Sequence, residues 1–168
     1  MCGIAGTINI SDKHTVARML RELAHRGPDD EGEYYDEARG IALGHRRLSI
    51  IDLSQAGHQP MESEDGSTVV VFNGEIYNYK QLTEELRREG FVFRSATDTE
   101  VLVHGYRAWG RDVFKKIDGM WAIALYDKRA GKIFLSRDPA GIRPLYYYTK
   151  GTNFAFASEI GALARALP

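Results

Sequence analysis

The chain has 168 residues and a single cysteine, and that cysteine is the second residue, Cys2. A thiol with an ordinary pKa of roughly 8.5 is mostly protonated at neutral pH and needs a base to become a good nucleophile. Removal of Met1 would supply one. The exposed α-amine of Cys2, ordinarily titrating at roughly 7.7–8.0, would sit on the same residue as the sulfur. Gly3 and Gly6 beside it allow a substrate or another backbone to come close. The competing reading is a buried structural cysteine on a first strand, because free cysteine is among the most buried residue types. What the rest of the chain offers decides between the two.

A cysteine nucleophile needs donors for an oxyanion and groups that hold the substrate. Asn73-Gly74 follows the apolar run Thr68-Val69-Val70-Val71-Phe72, and a strand is expected to stop there. A side-chain amide and the next backbone N–H at a rigid strand end could serve as the donor pair. An ordinary Asn-Gly turn is the alternative. Glu75 and Asp98 are anions that could bind an ammonium; solvation and helix-dipole compensation are their plainer roles. Arg46 and Arg47 each offer a guanidinium able to grip a carboxylate in two-pronged fashion. On a strand they point to opposite faces, so only one can serve a given pocket. Taken together, these charges describe a ligand with both an α-carboxylate and an α-ammonium, held near a thiol and an oxyanion site. An amino acid whose side chain is a carboxamide fits.

The elements that must place these residues are mostly strands. Residues 3–10 read as a first strand, followed by a helix over about 13–25 in which Val16, Met19, Leu20 and Leu23 share a face. Residues 26–32 form a polar loop, 33–36 and 41–51 a strand pair, and 52–66 a long connection of the kind that often carries function. After the strand at 68–72, the pattern predicts a helix over 78–89, a short strand at 91–93, and a helix running to about 109. Thr97 and Glu100 are spaced as a capping box for that last helix. Residues 112–116 add a helical turn. Strands are predicted at 119–126 and 132–136, then a structured loop at 137–144, a hairpin at 145–148 and 153–157, and a terminal helix from 158. Hairpin-linked strands imply antiparallel pairing, and the apolar runs at 68–72 and 119–126 ask for cover on both faces. Two facing antiparallel sheets with helices outside meet both demands, giving an α+β sandwich.

Composition excludes several classes. Twenty-two basic and 23 acidic side chains leave a formal charge of −1, which argues against a surface dedicated to nucleic acid or to anionic membrane. No apolar run approaches the roughly 20 residues of a membrane-spanning helix, and no secretory signal is visible. A lone cysteine rules out an internal disulfide and points to a cytoplasmic setting. The five histidines form no metal-binding spacing, so no metal is expected.

Met-Cys-Gly-Ile-Ala-Gly at 1–6 resembles the start of class II glutamine amidotransferase domains, which are N-terminal nucleophile hydrolases. His25-Arg26-Gly27-Pro28-Asp29, the run His45 to Asp52, Phe72-Asn73-Gly74-Glu75-Ile76-Tyr77-Asn78 and Ser158-Glu159 together resemble the glutaminase domain of glutamine-hydrolysing asparagine synthetases. The resemblance covers essentially the whole chain. It implies a four-layer αββα sandwich over residues 1–168. It also implies attack of trimmed Cys2 on the glutamine carboxamide, with an oxyanion held by Asn73 and Gly74. Arg47 would bind the α-carboxylate, the strand backbone through Leu48, Ser49, Ile50 and Ile51 would line the pocket, and Glu75 and Asp98 would hold the α-ammonium. Arg26 to Asp29 would order the wall of the site. Ammonia would pass to an ATP-dependent synthetase domain or subunit that amidates aspartate; ATP and Mg belong to that domain, with no cofactor expected here. The chain stops at Pro168 without the Ser-Gly-Gly-x-Asp-Ser loop of such a domain, so the expectation is an excised domain or a free-standing glutaminase, with a homodimer left open. Residues 138–140 depart from the bulkier residues usual in relatives, in a loop expected to face the partner. A non-catalytic module that senses glutamine or docks on a synthetase is the alternative, and a cysteine hydrolase acting on another amide is a weaker third.

Overall fold

The computed structural model describes residues 1–10, 12, 14–50, 52 and 54–167. Among these residues nine strands form two antiparallel sheets. The first, in spatial order, holds β2 (Asp30–Asp36), β3 (Ile41–Arg47), β1 (Gly3–Ile8), β9 (Asn153–Ala157) and β8 (Tyr146–Lys150). The second holds β4 (Met61–Glu62), β5 (Thr68–Ile76), β6 (Gly119–Asp127) and β7 (Lys132–Arg137). Helices α1 (Thr15–Glu22) and α5 (Ile160–Ala166) cover the first sheet; α2 (Tyr79–Arg88), α3 (Thr99–Trp109) and α4 (Val113–Lys116) cover the second. These are the two facing antiparallel sheets with helices outside that the strand and helix pattern asks for, and the αββα sandwich that the resemblance implies.

The two-sided burial of β5 explains its unbroken apolar run. Val69 and Val71 face the other sheet and pack with Ile4, Leu43 and Phe156, whereas Val70 and Phe72 face the helices and pack with Leu86, Val101 and Leu102. A strand covered on both faces has no polar face to show. Val16, Met19, Leu20 and Leu23 form the predicted stripe and are buried against Ala5 and Ala157. Two polar links cross between the sheets. His45 on β3 donates from Nε2 to the Phe72 carbonyl at 3.1 Å, and Tyr126 on β6 donates to Asp36 at 2.7 Å. Burial pushes the His45 pKa down to about 3, so this link is carried by a neutral ring.

Several boundaries differ from the sequence reading. Strand β5 does not stop at Phe72 but runs to Ile76, because Asn73 to Ile76 continue their register with β6. Strand β3 ends at Arg47 rather than 51, since β2 offers no partner beyond Asp30. Phe91 to Phe93 form no strand; their rings pack on His104 and the helical layer. The capping box is also absent. Helix α3 starts at Thr99, one residue later than a Thr97 cap requires, and the Glu100 carboxylate turns back to the N–H groups of Arg94 and Ser95.

Candidate active site

Three strand ends converge at one open edge of the sandwich. Side chains alternate along a strand. Cys2 therefore shares the inward face of Ile4, Arg47 shares that of Leu43 and His45, and Asn73 shares that of Val69 and Val71. The same alternation turns Arg46 away, toward the Gly27 carbonyl and Glu31. A cleft of about 250 Å³ opens here, lined among others by Cys2, Arg47, Leu48, Ile50, Asn73, Gly74, Glu75 and Asp98. Ser49 lies beside it, donating its N–H to Asp29 at 2.8 Å, and does not line it. Ile51 falls outside the described residues.

The Cys2 sulfur accepts the Leu48 N–H at 3.4 Å and faces the Leu48 carbonyl at 3.7 Å. Burial raises the thiol pKa above its ordinary value, and the Leu48 N–H and the Arg47 charge only partly offset that. The resting sulfur is thus a neutral thiol that needs a base. No histidine lines the cleft among the described residues. Arg26 fixes the backbone here: it donates from Nε to the Cys2 carbonyl at 2.9 Å and is itself paired with Glu159 at 2.9 Å.

Asn73 is 1% exposed, and its Nδ2 is a buried donor with no partner. Gly74 supplies a second donor, and the sheet shows which way it points. Its register partner Trp121 directs both N–H and C=O away, to Asp138. Gly74 and Trp121 therefore form a non-hydrogen-bonded pair, and the Gly74 N–H faces the opposite edge of β5. That edge is uncovered because β4 pairs only with Val69 and Val70. The flanking N–H groups on it are taken by side chains: Phe72 donates to Gln59 at 2.7 Å and Ile76 to Asp98 at 2.9 Å. Glycine is needed at 74 for close approach, since a Cβ would strike the Met120 carbonyl.

Arg47 is buried and anchored, donating from Nη1 to the Ser54 carbonyl at 2.9 Å and from Nη2 to the Asp52 carbonyl. Gly57 makes room for it, because a Cβ there would land on Nη2 of Arg47. We expect Gly57→Ala to displace the guanidinium and raise KM for a carboxylate-bearing substrate about tenfold, with kcat little changed. Steady-state kinetics check this, and an unchanged KM would show that Arg47 does not bind the substrate. Asp98 is buried, and desolvation, with the nearby Glu75 charge assisting, raises its pKa to about 6 against the pull of the Ile76 N–H. Two carboxylates, Glu75 and Asp98, thus line one wall without an ion pair among the described residues. A cation between them would relieve both.

Gly57, Gln59, Thr97, Thr99 and Arg143 also line the cleft, and sequence reasoning did not place them there, reading Thr97 only as a helix cap. Their only signal was membership of the long connection at 52–66, the α3 start and the loop at 137–144. Among the described residues, no group of three or more metal-ligating side chains is placed to hold an ion.

A thiol and two open donors, with a guanidinium and two carboxylates lining the same cleft, form a set able to hold an amino acid by both charged ends. The glutamine amidotransferase domain family matches residues 1–167, and the chain belongs to that family. It is 42% identical to the putative asparagine synthetase [glutamine-hydrolyzing] 2 of Methanocaldococcus jannaschii over 98% of its own length and 35% of that protein's. It is 41% identical to asparagine synthetase [glutamine-hydrolyzing] 1 of Bacillus subtilis, over 95% and 26% of the two chains. The chain therefore spans between about a quarter and a third of these relatives. Its fold matches that of the glutamine phosphoribosylpyrophosphate amidotransferase from B. subtilis with a TM-score of 0.86 at 21% identity, over 98% of this chain and 43% of that one.

Proposed function

We propose that this domain hydrolyses L-glutamine to glutamate and ammonia through a Cys2 thioester, and supplies the ammonia to an asparagine synthetase-type amidation of aspartate on a separate ATP-dependent domain or subunit. The observation that carries the reading is the pair of unspent donors, Asn73 Nδ2 and the Gly74 N–H, in the cleft that holds the only thiol. Trimming of Met1 frees the α-amine, which takes the thiol proton. The thiolate forms a bond to the carboxamide carbon, and the oxygen gains charge toward Asn73 and Gly74. The C–N bond breaks as the α-ammonium returns the proton to nitrogen, and ammonia leaves. Water then attacks the thioester carbon, and glutamate and the thiol are released. Arg47 holds the α-carboxylate, and Glu75 with Asp98 holds the α-ammonium. The likeness to asparagine synthetases supports aspartate as the acceptor, and a free thiol suits the cytoplasm.

The test is an assay of protein whose N-terminus has been verified by mass spectrometry. Glutamate and ammonia should appear in equal amounts; trimmed protein that binds glutamine without releasing either would leave the sensing module as the better reading.

The raised Asp98 pKa predicts a pH dependence. Ammonium binding needs the ionised carboxylate, so apparent glutamine affinity should weaken as pH falls through about 6. The groups facing it are Glu75, Arg47 and Cys2. The stability sign is opposite: a raised carboxyl pKa costs stability above that pH, so Asp98→Asn should melt higher at pH 8 while binding glutamine more weakly. Thermal melting together with KM against pH checks both, and an affinity flat down to pH 5 would remove Asp98 from the ammonium site.

A further inference from the structure

Arg143 lines the cleft, yet its Nε is a buried donor with no partner, as is Asn73 Nδ2 in the same site. Its guanidinium makes no ion pair among the described residues. Its backbone, by contrast, is heavily tied. Asp138, itself buried, accepts the N–H groups of Ile142 at 2.8 Å, Arg143 at 3.0 Å and Trp121 at 3.2 Å. Arg137 donates to the Arg143 carbonyl at 2.8 Å and to the Gly141 carbonyl at 2.6 Å. Two charged side chains thus fix the loop, and the third is left free to face the cleft.

Sheet order places Arg143 relative to the nucleophile. In the first sheet β1 lies between β3, which carries Arg47, and β9–β8, into which the Arg143 loop runs. Cys2 at the head of β1 is next to β3 and Arg47, the Arg143 loop enters β8 two strands away on the other side, and all three residues line the one cleft. Arg47 and Arg143 are the two arginines that line the cleft, and with the substrate carboxylate assigned to Arg47 the second guanidinium is left for the other end. We propose that Arg143 closes the leaving-group end of the cleft and receives the departing ammonia, an inference that rests on the glutaminase reading. Neutral ammonia keeps a lone pair that accepts from Nε–H, whereas ammonium has none and is repelled by the guanidinium. Arginine does not give up its own proton, so it favours departure of nitrogen as NH₃, the form able to attack an acceptor. A guanidinium at that end also leaves little room for a substituent on that nitrogen.

The test compares Arg143→Met and Arg143→Lys with wild type on L-glutamine and on its γ-N-methylamide, each variant first checked by thermal melting. In Arg143→Met we expect kcat for glutamine to fall about tenfold with KM nearly unchanged, and preference for glutamine over the methylamide to drop by a similar factor. Arg143→Lys, which keeps the charge, should recover part of kcat. A raised KM at unchanged kcat would instead place Arg143 at the carboxylate end and overturn the proposal, as would folded variants with wild-type kinetics on both substrates. Wild-type protein that cleaves neither amide would mark failure of the glutaminase reading itself.

Discussion

Cys2→Ala protein is expected to show no glutamine hydrolysis above background, a loss of at least about four orders of magnitude, as for removal of other covalent nucleophiles. The same loss is expected when Cys2 is intact but Met1 is retained, for example behind a residue that blocks trimming. The structure gives the reason. Burial holds the Cys2 thiol in its neutral form, and among the described residues no histidine lines the cleft to deprotonate it. His45, two residues before Arg47 on β3, is buried, bonded to the Phe72 carbonyl and displaced to a pKa of about 3. With Glu75 and Asp98 assigned to the substrate ammonium, the α-amine is the proposed base, and in untrimmed protein it is an amide nitrogen. Met1 also occupies part of the cleft wall. Glutamate release by the Cys2→Ala protein would remove the nucleophile; release by untrimmed protein would leave Cys2 in place but remove its amine as the base.

Asn73→Ala should lower kcat by about 10²–10³, or roughly 2.7–4 kcal/mol of transition-state stabilisation, with KM near its original value. The same substitution should leave the melting temperature unchanged or raise it. A buried donor without a partner costs about 1–3 kcal/mol in the resting fold, and Asn73 Nδ2 is such a donor. The protein tolerates that cost because the amide gains its partner only when the carboxamide oxygen becomes charged. Kinetics and denaturant melting on one sample separate the two effects. A parallel fall in kcat and stability would show that Asn73 supports the fold, not the oxyanion.

Much of the fold was legible because its signals are local. Val16, Met19, Leu20 and Leu23 repeat at helical spacing, and the hairpin at 127–132 carries glycine at 131, where φ is +63°. The misreadings share a cause, which is that partners distant in sequence decide where an element ends. Asn73 and Gly74 looked like a turn, yet β6 offers them a register and the strand continues. Phe91 to Phe93 had strand composition, yet no strand edge lies beside them.

The sequence by itself determined the cast and its facing: a cysteine behind the initiator, an Asn-Gly pair, and Arg47 and not Arg46 turned inward once the motif pattern singled it out. Those properties follow from residue identity and from the two-residue period of a strand, both fixed by the chain alone. Only the tertiary structure decided how the cast is lit. The open edge of β5 frees the Gly74 N–H, burial at the start of α3 lifts the Asp98 pKa to about 6, Gly57 yields space to Arg47, and the loop after β7 carries Arg143 into the cleft. Desolvation and pairing depend on what lies across a gap, and the sulfur of Cys2 meets Leu48 and lines a cleft with Asn73 and Arg143 only after both sheets have closed.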